Sequence, residues 1–125
     1  MTSQLNVDTI VDKAGTGPVG LTKQNAAKAW INFAGAGTSI NDSLNISSLA
    51  DNATGKFTVT MSSAMDAVNY AVVTGIQESG TANTHMTSVR SDVTITTTVF
   101  GIATYSGGTY QDVTLVYDAI HGDLA

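Results

Sequence analysis

The chain has 125 residues, enough for one hydrophobic core but not two, with 42% hydrophobic and only 12% charged residues. Five basic residues against ten acidic ones give a net charge of −5, which excludes the cation clusters needed to bind nucleic acid or an anionic membrane surface. With no cysteine there is neither a disulfide frame nor a thiolate metal site, and no segment has the length of a membrane span.

Solubility therefore rests on uncharged polar groups, chiefly 19 Thr and 11 Ser. Thr is β-branched and suits a pleated surface, hydroxyl to water and methyl to its neighbours. This composition predicts a β-protein, or a chain that packs against copies of itself. The opening Met1-Thr2-Ser3-Gln4 lacks a basic stretch leading into an apolar run, so no signal peptide is expected and synthesis is expected in the cytoplasm.

Residues 1–28 read as an extended arm. Leu5 and Val7 alternate with Asn6 and Asp8, the period-2 pattern of a strand with one buried face. The run Ala14-Gly15-Thr16-Gly17-Pro18 breaks that pattern, and Val19 and Leu21 resume it. A hairpin of this length is marginal alone. Cover for Leu5, Val7, Ile10, Val19 and Leu21 must come from elsewhere, either a threefold bundle of identical arms or a docking surface on a partner.

Residues 29–125 read as successive strands. Ala29–Phe33 is the first, and Gly35-Ala36-Gly37 a turn. Ile40–Leu49 is expected as one strand, followed by a loop over Ala50–Gly55 with turn chemistry. Lys56–Met61 alternates cleanly, with Phe57, Val59 and Met61 on one face. Asn69–Ile76 is apolar enough to predict a central strand buried on both faces. Thr87–Tyr105 is a long β-prone stretch, Ser106-Gly107-Gly108 a tight turn, and Tyr110–Ile120 the last strand. Helical periodicity is confined to short stretches at Gln24–Trp30 and Ser62–Ala67. The predicted fold is all-β, an antiparallel β-sandwich preceded by the arm.

Candidate catalytic groups are few. His85 lies in a polar loop, and His121 has Asp118 and Asp123 close in sequence, but no G-x-S-x-G elbow places a nucleophile. Solvent-exposed or interface histidines are the expectation, and no catalytic residue is assigned. Asp51-Asn52 lacks the D-x-D-x-D spacing of a Ca²⁺ loop and reads as an Asx turn. Gly15-x-Gly17-x-x-Gly20 lacks a βαβ context, so turn glycines replace a dinucleotide reading. N-x-S/T matches at Asn41, Asn45 and Asn52 are expected by chance in a Ser/Thr-rich chain. No cofactor or metal is expected. Trp30 could be a sugar-stacking platform, but its neighbours Ile31 and Phe33 favour packing, so Trp30 and Phe33 read as packing anchors, in the core or between subunits. Tyr105 and Tyr110 flank the Ser106–Gly108 turn as receptor contacts or as an ordinary cross-strand pair, with Asn83 and His85 as further loop contacts.

The arm Leu5–Ile10, its Gly15–Gly17 turn and Val19 resemble the last shaft repeat of bacteriophage fibres. Ala27-Lys28-Ala29-Trp30-Ile31-Asn32-Phe33 and Gly35-Ala36-Gly37-Thr38 are similar to the opening of a fibre-tip domain of marine and cyanobacterial phages. Asp42–Ser48 with Asp51–Val59 resembles its hairpin, and Asn69–Val73 and Asp118–Asp123 its later strands. The resemblance implies a homotrimeric virion structural protein, a tail-fibre knob with an intertwined arm. Its partners would be other virion proteins, reached through the arm, and a host-surface glycan. Because Met1 begins almost on the shaft repeat, a head fibre or a capsid decoration protein that stabilises the shell fits as well. A free carbohydrate-binding module, using the loops Ser79–Thr87 and Tyr105–Tyr110, is the alternative from outside the virion.

Overall fold

The computed structural model describes residues 26–78 and 84–125. The arm positions Leu5, Val7, Ile10, Val19 and Leu21, and the loop position Asn83, lie outside the described residues. Among those described there is no helix, and all regular structure is β.

Among the described residues nine strands form two antiparallel sheets: β1 (Ala29–Ala34), β2 (Ile40–Leu44), β3 (Ile46–Ala53), β4 (Lys56–Met61), β5 (Ala71–Gln77), β6 (His85–Val89), β7 (Val99–Ser106), β8 (Thr109–Tyr110) and β9 (Leu115–His121). Sheet I has the order β2-β1-β9-β5, and sheet II the order β3-β4-β7-β6, with β8 paired to the end of β7. Every strand places alternate side chains on opposite faces. Ala29, Ile31 and Phe33 of β1 and Val116 and Ile120 of β9 therefore point inward from sheet I. They meet Phe57, Val59, Met61, Phe100 and Ile102 of sheet II in one core, a sandwich-like arrangement. Phe33 and Phe57 close it edge to face, with ring centroids 5.0 Å apart.

The alternation read over Lys56–Met61 matches β4, and the Ser106–Gly108 turn closes the β7–β8 hairpin. Several expectations are corrected. Ile40–Leu49 is not one strand: Asn45 splits it, sending β2 to sheet I and β3 to sheet II. Ala50–Ala53 belong to β3, and the turn is only Thr54-Gly55. Gly55 has φ +64°, and a Cβ there would sit 2.5 Å from the Thr104 carbonyl oxygen, so no larger residue fits. Asp51-Asn52 is thus strand, not an Asx turn. The apolar run after Asn69 is an edge strand, β5, whose outer face is open, because β9 takes the central place beside it. Thr87–Tyr105 is interrupted by irregular residues at 90–98 between β6 and β7, and Ser62–Ala67 forms bends and a single bridge at Met65.

Asn45 crosses between the sheets in a left-handed conformation, φ 57°. Its amide fixes the junction: Oδ1 accepts from the Ser63 N–H at 2.7 Å, and Nδ2 donates to the Lys28 and Ser63 carbonyls at 3.3 Å. Asn45→Ala should cost about 2–3 kcal/mol, from αL strain and lost hydrogen bonds, and Asn45→Gly about half of that. Urea midpoints check both, and equal losses would count against the strain argument.

Asp118 interrupts the inward row of β9. It is 3% exposed, and neither carboxyl oxygen has a hydrogen-bond partner among the described residues. Burial raises its pKa from 3.8 to about 8. Between those values the folded chain holds a proton that the unfolded chain has lost, so stability falls as pH rises through this window. The slope reaches about 1.4 kcal/mol per pH unit. Melting temperatures measured from pH 5 to pH 8 should fall for the natural sequence and stay flatter for Asp118→Asn.

Candidate functional site

The outward face of an antiparallel sheet is ordinarily polar. Sheet I departs from this. Its register sets Leu44, Trp30, Ala119 and Val73 in one row across β2, β1, β9 and β5. Leu44 is 50% and Val73 59% exposed, and Trp30 is half-buried. The next row runs Asp42, Asn32, Tyr117 and Gly75, and Gly75 contributes no side chain. The result is a shallow depression of about 430 Å³ walled by Trp30, Asn32, Val73, Tyr117 and Ala119. Polar groups at its margin are tied to one another. Tyr117 Oη donates to Gln77 Oε1 at 2.7 Å, and Asn41 Nδ2 to Asn32 Oδ1 at 3.0 Å. What remains open is apolar, suited to burying another apolar surface rather than to acid–base chemistry.

A second hollow, about 440 Å³, lies where the chain enters β1 and is lined by Ala26, Ala27, Lys28, Leu44, Asn45 and Leu124, among others. Leu44 lines this hollow and also begins the Trp30 row, so the two apolar surfaces are continuous. Leu124 is 46% exposed.

Sheet II presents a different outer face. Tyr105 and Tyr110 pair across β7 and β8 with ring centroids 4.7 Å apart. Lys56 Nζ stands 4.3 Å over the Tyr110 ring. A hydrogen bond with Tyr105 is the main cause that raises the Tyr110 phenol above its ordinary value. Arg90 and Val93, in the loop between β6 and β7, fold back over this sheet, and Val93 fills the space in which a side chain at Gly101 would stand. Arg90 holds the fold-back in place. Its guanidinium bonds both Asp92 oxygens at 2.8 and 2.9 Å, Asn52 Oδ1 at 2.7 Å and the Phe57 carbonyl at 3.4 Å. The bond to Arg90 holds the Asp92 carboxyl below its ordinary value.

Of the anchors expected from sequence, Phe33 is fully buried in the core, and Trp30 stands on the opposite face of the same strand, outside the core. Tyr105 and Tyr110 are brought together, and His85 is not brought to them. It is the cross-strand partner of Ser106, one residue out of phase with the Met86–Tyr105 pair and so on the other face. His121 and Asp118 point to opposite faces of β9 and form no dyad. Among the described residues no three His, Asp or Glu side chains gather where they could hold a metal ion. Sequence reasoning misses Leu44, Val73, Tyr117, Lys56 and Arg90 as surface groups of interest. The alternation Ala29-Ile31-Phe33 against Trp30-Asn32 is a usable signal for Trp30; for Arg90 the only local signal is Asp92 two residues on, and its partner Asn52 is 38 residues away.

Arg90→Lys should lower stability by about 1–2 kcal/mol, since an ammonium cannot reproduce the planar fork to Asp92 while reaching Asn52. The urea midpoint measures this, and no change would show that the fold-back is held by packing alone.

A scan against protein-family models, a search of curated proteins and a search of solved structures each returned no match for this chain.

Proposed function

We propose that this chain is a non-catalytic structural protein of a bacteriophage virion surface, a homotrimer with the sandwich as its knob and residues 1–28 as an arm toward other virion proteins. One observation carries the reading: the open apolar row Leu44–Trp30–Ala119–Val73 on a sheet face that water would otherwise cover. Exposed side chains of this size gain about 25 cal/mol per Å² when covered, and such a patch marks an interaction surface. The resemblance of residues 27–38 and 42–59 to a fibre-tip domain supports the virion setting, and the Thr-rich, weakly charged composition supports self-packing.

Attachment is the work of such a protein, and recognition of a host-surface glycan would fall to the outer face of sheet II. Its Tyr105–Tyr110 pair offers amphipathic area there, with Lys56 already seated on Tyr110. A capsid decoration protein would use the same apolar face against the shell, and labelling the chain on intact particles separates tail from capsid.

Light scattering on the full chain should give the mass of three copies. Val73→Asp, at an exposed position, should lower that mass and leave the melting temperature of the sandwich nearly unchanged. A chain that is monomeric at working concentrations overturns the reading.

A further inference from the structure

The outer face of sheet I spans three strand spacings and strands of five to seven residues. That is roughly 14 by 20 Å, on the order of 300 Å² in projection. A stable interface takes about 800 Å² per partner. Two such faces laid together fall short, so the occupant must also extend beyond the face.

The polypeptide itself supplies a candidate. Twenty-five residues precede Ala26 and carry two alternating apolar runs, Leu5 with Val7 and Val19 with Leu21. They join the domain beside the apolar surface: Ala26 and Ala27 line the hollow with Leu44 and Leu124, and the Lys28 N–H is already bonded to the Ile120 carbonyl at 2.7 Å. Lys28 thus adds one bond to the β1–β9 pairing, and the chain bends at Lys28 and Ala26. From Ala26 back to Leu21 is about 17 Å of extended chain. To return over its own sheet the chain must complete a reversal within residues 22–28, which bend at Ala26 and Lys28 but contain neither Gly nor Pro. A neighbouring molecule's face requires no such reversal.

We infer that the Trp30 face of sheet I is the docking surface for the N-terminal segment of a second copy of this chain, which lays its alternating apolar side chains, Leu5 to Leu21, over Leu44, Trp30 and Val73. The inference rests on the oligomeric reading above and names the contact that would build it. Hydroxyl- and amide-bearing residues between the apolar ones, Asn6 and Thr22 among them, would face water, as the period of two requires.

Trp30 is the only tryptophan in the chain, so its fluorescence reports cover on this face directly. In the full natural chain the emission should be blue-shifted and shielded from acrylamide, and the mass above that of a monomer. In the full-length double variant Val7→Asp/Leu21→Asp the emission should shift to the red, quenching should rise several-fold and the mass should fall, with the far-ultraviolet circular dichroism of the sandwich retained. Val73→Asp should have the same effect on mass from the other side of the contact. If the double variant keeps both its mass and a shielded Trp30, another surface of the second copy is the occupant; the inference fails and the oligomeric reading stands. An oligomer whose Trp30 is open in the natural chain overturns the inference in the same way. A monomer with shielded Trp30 would mean that the segment covers its own molecule, and both fall.

Discussion

The pairing of β1 with β9, from Ala29 opposite Ile120 to Ala34 opposite Leu115, decides what each side of sheet I presents. Side chains alternate with period two, so one residue of slip would exchange the two faces entirely. In the register observed, Ile31 and Phe33 enter the core with Val116 and Ile120, and Trp30 goes outward beside Ala119. The edge-to-face contact of Phe33 with Phe57 then supports this choice across the sheets, because a slip of one residue would put Asn32 or Ala34 where Phe33 packs. Both the hydrophobic core and the open apolar row follow from that single alignment.

Local pattern carries much of the fold. The alternation of Lys56–Met61 and the Ser106–Gly108 turn are short-range signals, fixed by side-chain period and by glycine, and they describe what is observed. Expectation and structure part where distant residues decide. Asn45 looks like any strand residue until Ser63 and Lys28 are in place to bind its amide. Asp51-Asn52 has turn composition, yet Asn52 is held in β3 by Thr58 and Arg90. The apolar run of β5 suggests burial on both faces, but composition cannot show that β9, the last strand in the chain, takes the central position. The site is hardest to read, since Leu44, Trp30, Ala119 and Val73 form a row only through strand pairings as distant in sequence as Trp30 with Ala119.

Sheet I also inverts the usual assignment of polar and apolar groups. Asp118 is enclosed in its inner face, flanked in register by Ile31 and Thr74. Beside it in sequence, Ala119 joins Trp30 and Val73 on the outer face. Departures from local rules accumulate where a fold serves something besides its own stability. A buried carboxyl kept neutral costs stability as pH rises, and an uncovered apolar row costs solvation. That both stand on the same three strands argues that the outer face is retained for contact.

The two outer faces differ in how much cover the molecule provides for itself. Sheet II draws Arg90 and Val93 over β7, ties that loop down through Arg90 and leaves a Tyr–Lys cluster at the margin. Sheet I receives no such loop among the described residues. Among the described residues the two outer faces therefore differ: sheet I keeps an open apolar row, and sheet II is partly covered by its own loop, with Met86 exposed beside Tyr105. On the reading proposed above, that difference would set the orientation of the protein in an assembly, with Tyr105 and Tyr110 on the side turned away from the neighbouring copy. The aromatic pair would then meet a third surface without competing for the area proposed to hold the copies together.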